Sequence, residues 1–108
     1  MEEITRFLDT FHDSCKSSIS LLDSILYLQY DKDHVTHSAT HVKSIITKYS
    51  MLMNELMLQI SDPDKIKEIK EIMHASLEHI DAYKFQESKI LLETVNTKVN
   101  YLRQSICQ

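Results

Sequence analysis

Histidine is the side chain with the widest chemical reach in this sequence, and half of its copies are clustered. Of the six histidines, His34, His37 and His41 stand at i, i+3 and i+7. On a helix that spacing projects them within about 60° of one another. Three imidazoles on one face could ligate Zn²⁺ or another borderline metal ion, with the i, i+4 pair His37/His41 as the better half of the site. A complete site needs a further ligand in register. No H-E-x-x-H pattern and no neighbouring cysteine supplies one.

The segment His41-Val42-Lys43-Ser44 resembles the pattern H-x-x-K-G/S of histidine phosphotransfer domains. These are four-helix bundles of about this size with an exposed imidazole in the middle of the second helix. The resemblance implies a phosphoacceptor at His41, or at His37. It also implies a lysine one turn away that steadies the phosphate, and a small residue that lets a phosphorylated aspartate approach. It covers one helix and departs in two places: the lysine falls at +2 instead of +3, and +4 is the bulky Ile45. His37 has Thr40 and His41 at those two offsets.

Nucleophilic chemistry has weaker signals. Cys15 follows His12 by three residues, and a neighbouring imidazole can lower a thiol pKa. Yet Cys15 falls on an apolar helix line with His12 to one side, so it reads as a small core residue. The serines lie in no nucleophile elbow. Glycine is absent, which excludes glycine-rich phosphate loops and dinucleotide fingerprints. The expectation is a non-enzymatic protein without a cofactor. Cys15 and Cys107 are too few for a disulfide framework. In a bundle they would lie more than about 10 Å apart along the axis, at 1.5 Å per residue.

The elements that position these residues come from apolar spacing. Over residues 2–29 the line Ile4, Leu8, Phe11, Cys15, Leu22, Ile25 predicts one helix, with Ser18 on the same line. Asp31-Lys32-Asp33 interrupts it, and Asp31 or Asp33 can cap a second helix. That helix is expected over 34–60, on the heptad Val35, Ala39, Val42, Ile46, Tyr49, Met53, Leu56, Ile60. Ser61-Asp62-Pro63-Asp64 is the strongest punctuation, with a capping residue before a first-turn proline. A third helix over 63–82 carries Ile66, Ile69, Met73, Ser76, Leu77 and Ile80.

After Ile80 the phase changes. A continuous helix would need apolar residues at 87 and 94, where Glu and Thr stand. The new line Phe85, Ser88, Leu92, Val95, Val99, Leu102, Ile106 predicts a connection at 82–84 and a fourth helix over 86–106. Short connections make consecutive helices antiparallel neighbours. The expected fold is all-α: one domain over 1–108, an up-down-up-down antiparallel four-helix bundle. The alternative is a three-helix bundle with a long third helix, dimerised through its arm.

The chain has 26% charged residues, 43% hydrophobic residues and a formal charge of −4. That is globular composition, and with no basic stripe it disfavours nucleic acid and anionic membrane. The acidic start MEEITRFLDTF lacks the features of a secretory signal. No apolar run approaches the length of a membrane span. With so few cysteines, the expectation is a cytoplasmic, reducing setting.

What remains is apolar surface beyond the core stripes. Tyr27 lies about 140° from the line of its helix, and Ile90 and Tyr101 lie opposite theirs. Tyrosines are common interface anchors. Met51, Met53 and Met57 add adaptable apolar surface. The expected function is therefore a protein–protein interaction module: an adaptor, assembly subunit, chaperone or inhibitor. Its partner would be another protein or a second copy, and Tyr27, Ile90 and Tyr101 are the candidate contacts.

Overall fold

The computed structural model describes residues 2–27, 31–56 and 63–106. They form four helices: α1 Glu2–Tyr27, α2 Lys32–Leu56, α3 Pro63–Asp81 and α4 Phe85–Ile106. Helices in contact are α1/α2, α2/α3, α3/α4 and α1/α4. The square therefore runs in chain order, with α1 facing α3 and α2 facing α4 across the core. The bundle measures 45 × 19 × 18 Å. α1 spans most of that length, its 26 residues at 1.5 Å each making about 39 Å.

Cross-links between neighbours give the direction of each helix. Arg103 near the end of α4 meets Asp9 near the start of α1 at 2.9 Å, while Lys89 near the start of α4 meets Asp23 near the end of α1 at 2.6 Å. Lys98 meets Glu68 at 2.7 Å, and Lys43 pairs with Asp81. All neighbours are antiparallel, so this is the up-down-up-down four-helix bundle that the spacing implies.

Most residues of the predicted apolar lines are buried; Ile25, Val35 and Leu77 are half-buried, and the side chains of Leu56, Ile60 and Ile106 lie outside the described residues. Leu8, Leu22, Val42, Met53, Ile66, Val95 and Val99 are sealed from solvent. Each such aliphatic side chain contributes about 1.5–3 kcal/mol over leaving it in water. Phe11 meets Phe7 and Tyr49 edge-on, its centroid 4.9 Å from that of Tyr49, and Phe7 lies tilted against Tyr49. The small Ser18, Ser76 and Ser88 are fully buried on the same lines. Ser88 Oγ donates to the Ser76 carbonyl at 3.0 Å, which places the backbones of α3 and α4 close together. α4 packs extensively on α1 and α3, and α2 packs less extensively on its two neighbours.

Two boundaries have local causes. α2 starts at Lys32, earlier than its apolar line, because Asp31 is the cap. Its Oδ1 accepts the His34 N–H at 2.8 Å, and its carbonyl accepts the Val35 N–H at 3.1 Å. The hydrogen bond from the His34 backbone, then that from the His34 side chain, holds the Asp31 carboxyl below its usual range. The break between α3 and α4 falls at Tyr83, whose φ is +58°. The Lys84 N–H reaches back to the His79 carbonyl at 2.7 Å, and the Tyr83 N–H to Ile80 at 3.0 Å. This is the Schellman closure, which glycine normally completes. With no glycine in the chain, tyrosine takes the left-handed position. The one-long-helix alternative is set aside by this turn. Residues 57–60, expected in α2, and the expected cap at Ser61 or Asp62 lie outside the described residues.

Candidate functional site

α2 displays the three histidines as its spacing requires, all exposed. His34 Nδ1 lies 3.0 Å from Asp31 Oδ1, so this imidazole belongs to the cap of its own helix. Among the described residues, no three His, Cys, Asp or Glu side chains are grouped to hold a metal ion. His41 does not have Lys43 beside it. Two residues along a helix is a turn of about 200°, and the Lys43 ammonium is engaged by Asp81 across the α2/α3 seam. The lysine that a phosphohistidine would use therefore points away from His41.

The other histidines have structural surroundings. His74 Nε2 is 3.0 Å from Ser50 Oγ, bridging α2 and α3. His12 Nδ1 is 3.8 Å from Asp13. Cys15 is buried, and its thiol donates to the Leu92 carbonyl of α4 at 3.3 Å. Burial pushes that thiol up to about 12, so the thiolate is not formed near neutral pH. Cys107 lies outside the described residues. Between Phe11, Cys15, Ile46, Tyr49, Met73 and Leu92 there is an apolar cavity of about 10 Å³, room for about one water.

The side chains predicted for partner contact stand outside the core. Tyr27 is 71% exposed, Ile90 52% and Tyr101 68%. Tyr27 and Ile90 share one end of the bundle. There the Lys89 ammonium bonds Asp23, sits 3.8 Å from Glu93 and lies 5.7 Å from the Tyr27 ring centroid. The hydrogen bond to Asp23 raises the Lys89 pKa. Tyr101 is eleven residues from Ile90, about 16 Å along α4. The two are joined by Thr94 and Thr97, on the same outward line at i, i+4, i+7, i+11. Both threonine hydroxyls donate to carbonyls of the preceding turn, at 3.1 Å each. Ile90, Thr94, Thr97 and Tyr101 are themselves uncharged, with exposed Glu93 beside them at i+3 from Ile90.

Sequence reasoning missed two surface features. Tyr83 is 64% exposed; the signal for it was a break that a glycine-free chain must make with some other residue. The second is the charge pattern of α2. Residues 34–54 contain Lys43, Lys48 and three histidines but no Asp or Glu, in a chain whose formal charge is −4.

In comparisons with protein-family models, curated proteins and solved structures, nothing matches this chain. Among the described residues, no helix is long and apolar enough to cross a membrane.

Proposed function

We propose that this chain is a non-enzymatic interaction module, an adaptor, assembly subunit, chaperone or inhibitor that binds another protein or a second copy of itself through exposed helix faces. The observation that carries the reading is the set of large apolar side chains left outside a filled core: Tyr27, Met51, Tyr83, Ile90 and Tyr101. Scattered exposed apolar residues are ordinary. Isoleucine and tyrosine on the outward side of α4, at positions 52% and 68% exposed, depart from the polar outer face of an amphipathic helix. Tyrosine and isoleucine in that setting offer contact area at low entropic cost.

The test is the mass of the protein in solution, measured together with whatever co-purifies from its own cells. The module reading expects a complex or a homodimer that Ile90→Lys with Tyr101→Lys weakens without loss of helicity. A strictly monomeric protein with no partner would contradict it.

A further inference from the structure

His37 and His41 of α2 stand one turn apart, and i, i+4 neighbours have their Cβ atoms about 5–6 Å from each other. Both side chains are exposed. Among the described residues neither imidazole has a hydrogen-bond or ion-pair partner. His34, by contrast, is held at the cap by Asp31, His74 by Ser50, and His12 lies 3.8 Å from Asp13. The backbone that carries the pair is fixed before any ligand arrives. Asp31 caps the helix. Ala39, between the two histidines, and Val42, after them, are buried in the core. Charge near the pair does not oppose a cation. Asp31 and Asp33 are exposed with Lys32 at the start of the helix, and Lys43 is engaged by Asp81 on the α3 side.

The geometry points to a site for a borderline divalent cation, Cu²⁺ ahead of Zn²⁺, held by the His37 and His41 imidazoles together. It stands apart from the module reading and does not depend on it. Two histidines at i, i+4 are the metal-binding half of the H-E-x-x-H motif, whose rings reach one ion from adjacent turns, at about 2.0–2.1 Å. Here the segment is His37-Ser38-Ala39-Thr40-His41. Serine stands where that motif has its glutamate, so the pair binds an ion and supplies no hydrolytic base. His34 does not reach the same ion. It stands seven residues before His41, about 10.5 Å along the axis, with its Nδ1 3.0 Å from Asp31 Oδ1. No third His, Cys, Asp or Glu is grouped with the pair among the described residues, so the other positions of the ion are left to water. That makes an open, exchangeable site, unlike the closed four-ligand sites that hold structural zinc. Two imidazole nitrogens with water suit the tetragonal geometry of Cu²⁺, which also stands highest in the Irving–Williams order. Mg²⁺, which takes oxygen ligands, is not held.

The experiment is isothermal titration calorimetry of the full chain with Cu²⁺, Zn²⁺ and Mg²⁺ salts, in a Cys107→Ser background so that this thiol does not compete. The expected result is a site for one Cu²⁺ per chain, at least about tenfold tighter than for Zn²⁺, with no uptake of Mg²⁺. His37→Asn and His41→Asn each weaken Cu²⁺ binding about tenfold or more, because one imidazole is half of the protein's ligand set. His34→Asn and His74→Asn leave it unchanged. All four positions are exposed, and circular dichroism confirms that the variants fold. In NMR spectra of the imidazole rings, Zn²⁺ shifts the His37 and His41 signals and leaves those of His74 in place. The inference is overturned if Cu²⁺ binding survives both single substitutions. It is overturned equally if His34→Asn or His74→Asn weakens binding as much as they do, or if Zn²⁺ shifts only other histidines.

Discussion

Substituting Tyr83 distinguishes a true turn from a helix interior by the sign of the effect. The backbone at Tyr83 is left-handed, φ +58°, where a residue with a Cβ pays about 1–2 kcal/mol. Glycine carries no such penalty but loses more freedom on folding, about 0.5–1 kcal/mol. The Tyr83 ring also meets Phe85 edge-on, centroids 5.8 Å apart. At this exposure that contact is worth about 0.5 kcal/mol, the low end for aromatic pairs. Tyr83→Gly and Tyr83→Ala both delete the ring, so comparing the two isolates the backbone. At a left-handed position the glycine variant is more stable by about 1 kcal/mol. Within a continuous helix the order reverses, with alanine ahead by about 0.8–1.0 kcal/mol. Urea unfolding followed at 222 nm reads the difference directly, and in thermal melts 1 kcal/mol is about 4–8 °C for a domain near this size. An alanine variant more stable than the glycine variant would refute the turn and with it the separation of α3 from α4.

Three further outcomes follow from named contacts. Asp31→Ala should fray the first turn of α2 and lower stability, with Asp31→Asn keeping most of the cap. Because the hydrogen bonds from His34 hold the Asp31 carboxyl below the ordinary aspartate value, its contribution is complete above that ordinary value and is lost as pH falls through the lower folded one; a pH titration of stability should show this loss in the wild type and lack it in Asp31→Ala. In a Cys107→Ser background, Cys15 should resist thiol reagents at pH 8 to 9 until the protein unfolds, since burial pushes its thiol up to about 12; fast labelling of the native protein would contradict the α1/α4 packing. Ser88→Leu should force α3 and α4 apart and cost about 1–3 kcal/mol by overpacking, whereas Ser88→Ala loses one hydrogen bond of about 1 kcal/mol; chemical denaturation separates the two.

The fold was legible because burial and helical period coincide. Every described residue on the α4 line from Phe85 to Leu102 is buried, and the phase shift after Ile80 marked the turn with no glycine or proline to help. Boundaries were less legible where a cap, not the apolar line, sets them. Asp31 starts α2 before any core residue appears, and only the hydrogen bond to His34 separates it from Asp33 as the cap. The histidine constellation shows the limit of spacing arguments. Three imidazoles share a face, yet their use depends on what the neighbouring helices bring, and sequence offsets cannot place Asp81 beside Lys43. The charge pattern of α2 was in the chain but went unread, and its surroundings were not in the chain. The absence of carboxylates over 34–54 can be read from the chain, but that Phe7 and Arg6 lie alongside Leu52 and Lys48 is a product of antiparallel packing.

The central claim is that this bundle acts through its outside while its core stays closed. Amide hydrogen exchange, measured on the free protein and on its native complex, tests this most directly. The account predicts new protection along outer faces, on α2 near Lys48 and Met51 or on α4 between Ile90 and Tyr101, with the slow core amides around Val42, Met53, Val95 and Val99 unchanged. Loss of protection at those core amides on binding, with no gain on any outer face, would mean that the helices part to receive the partner, and would contradict it.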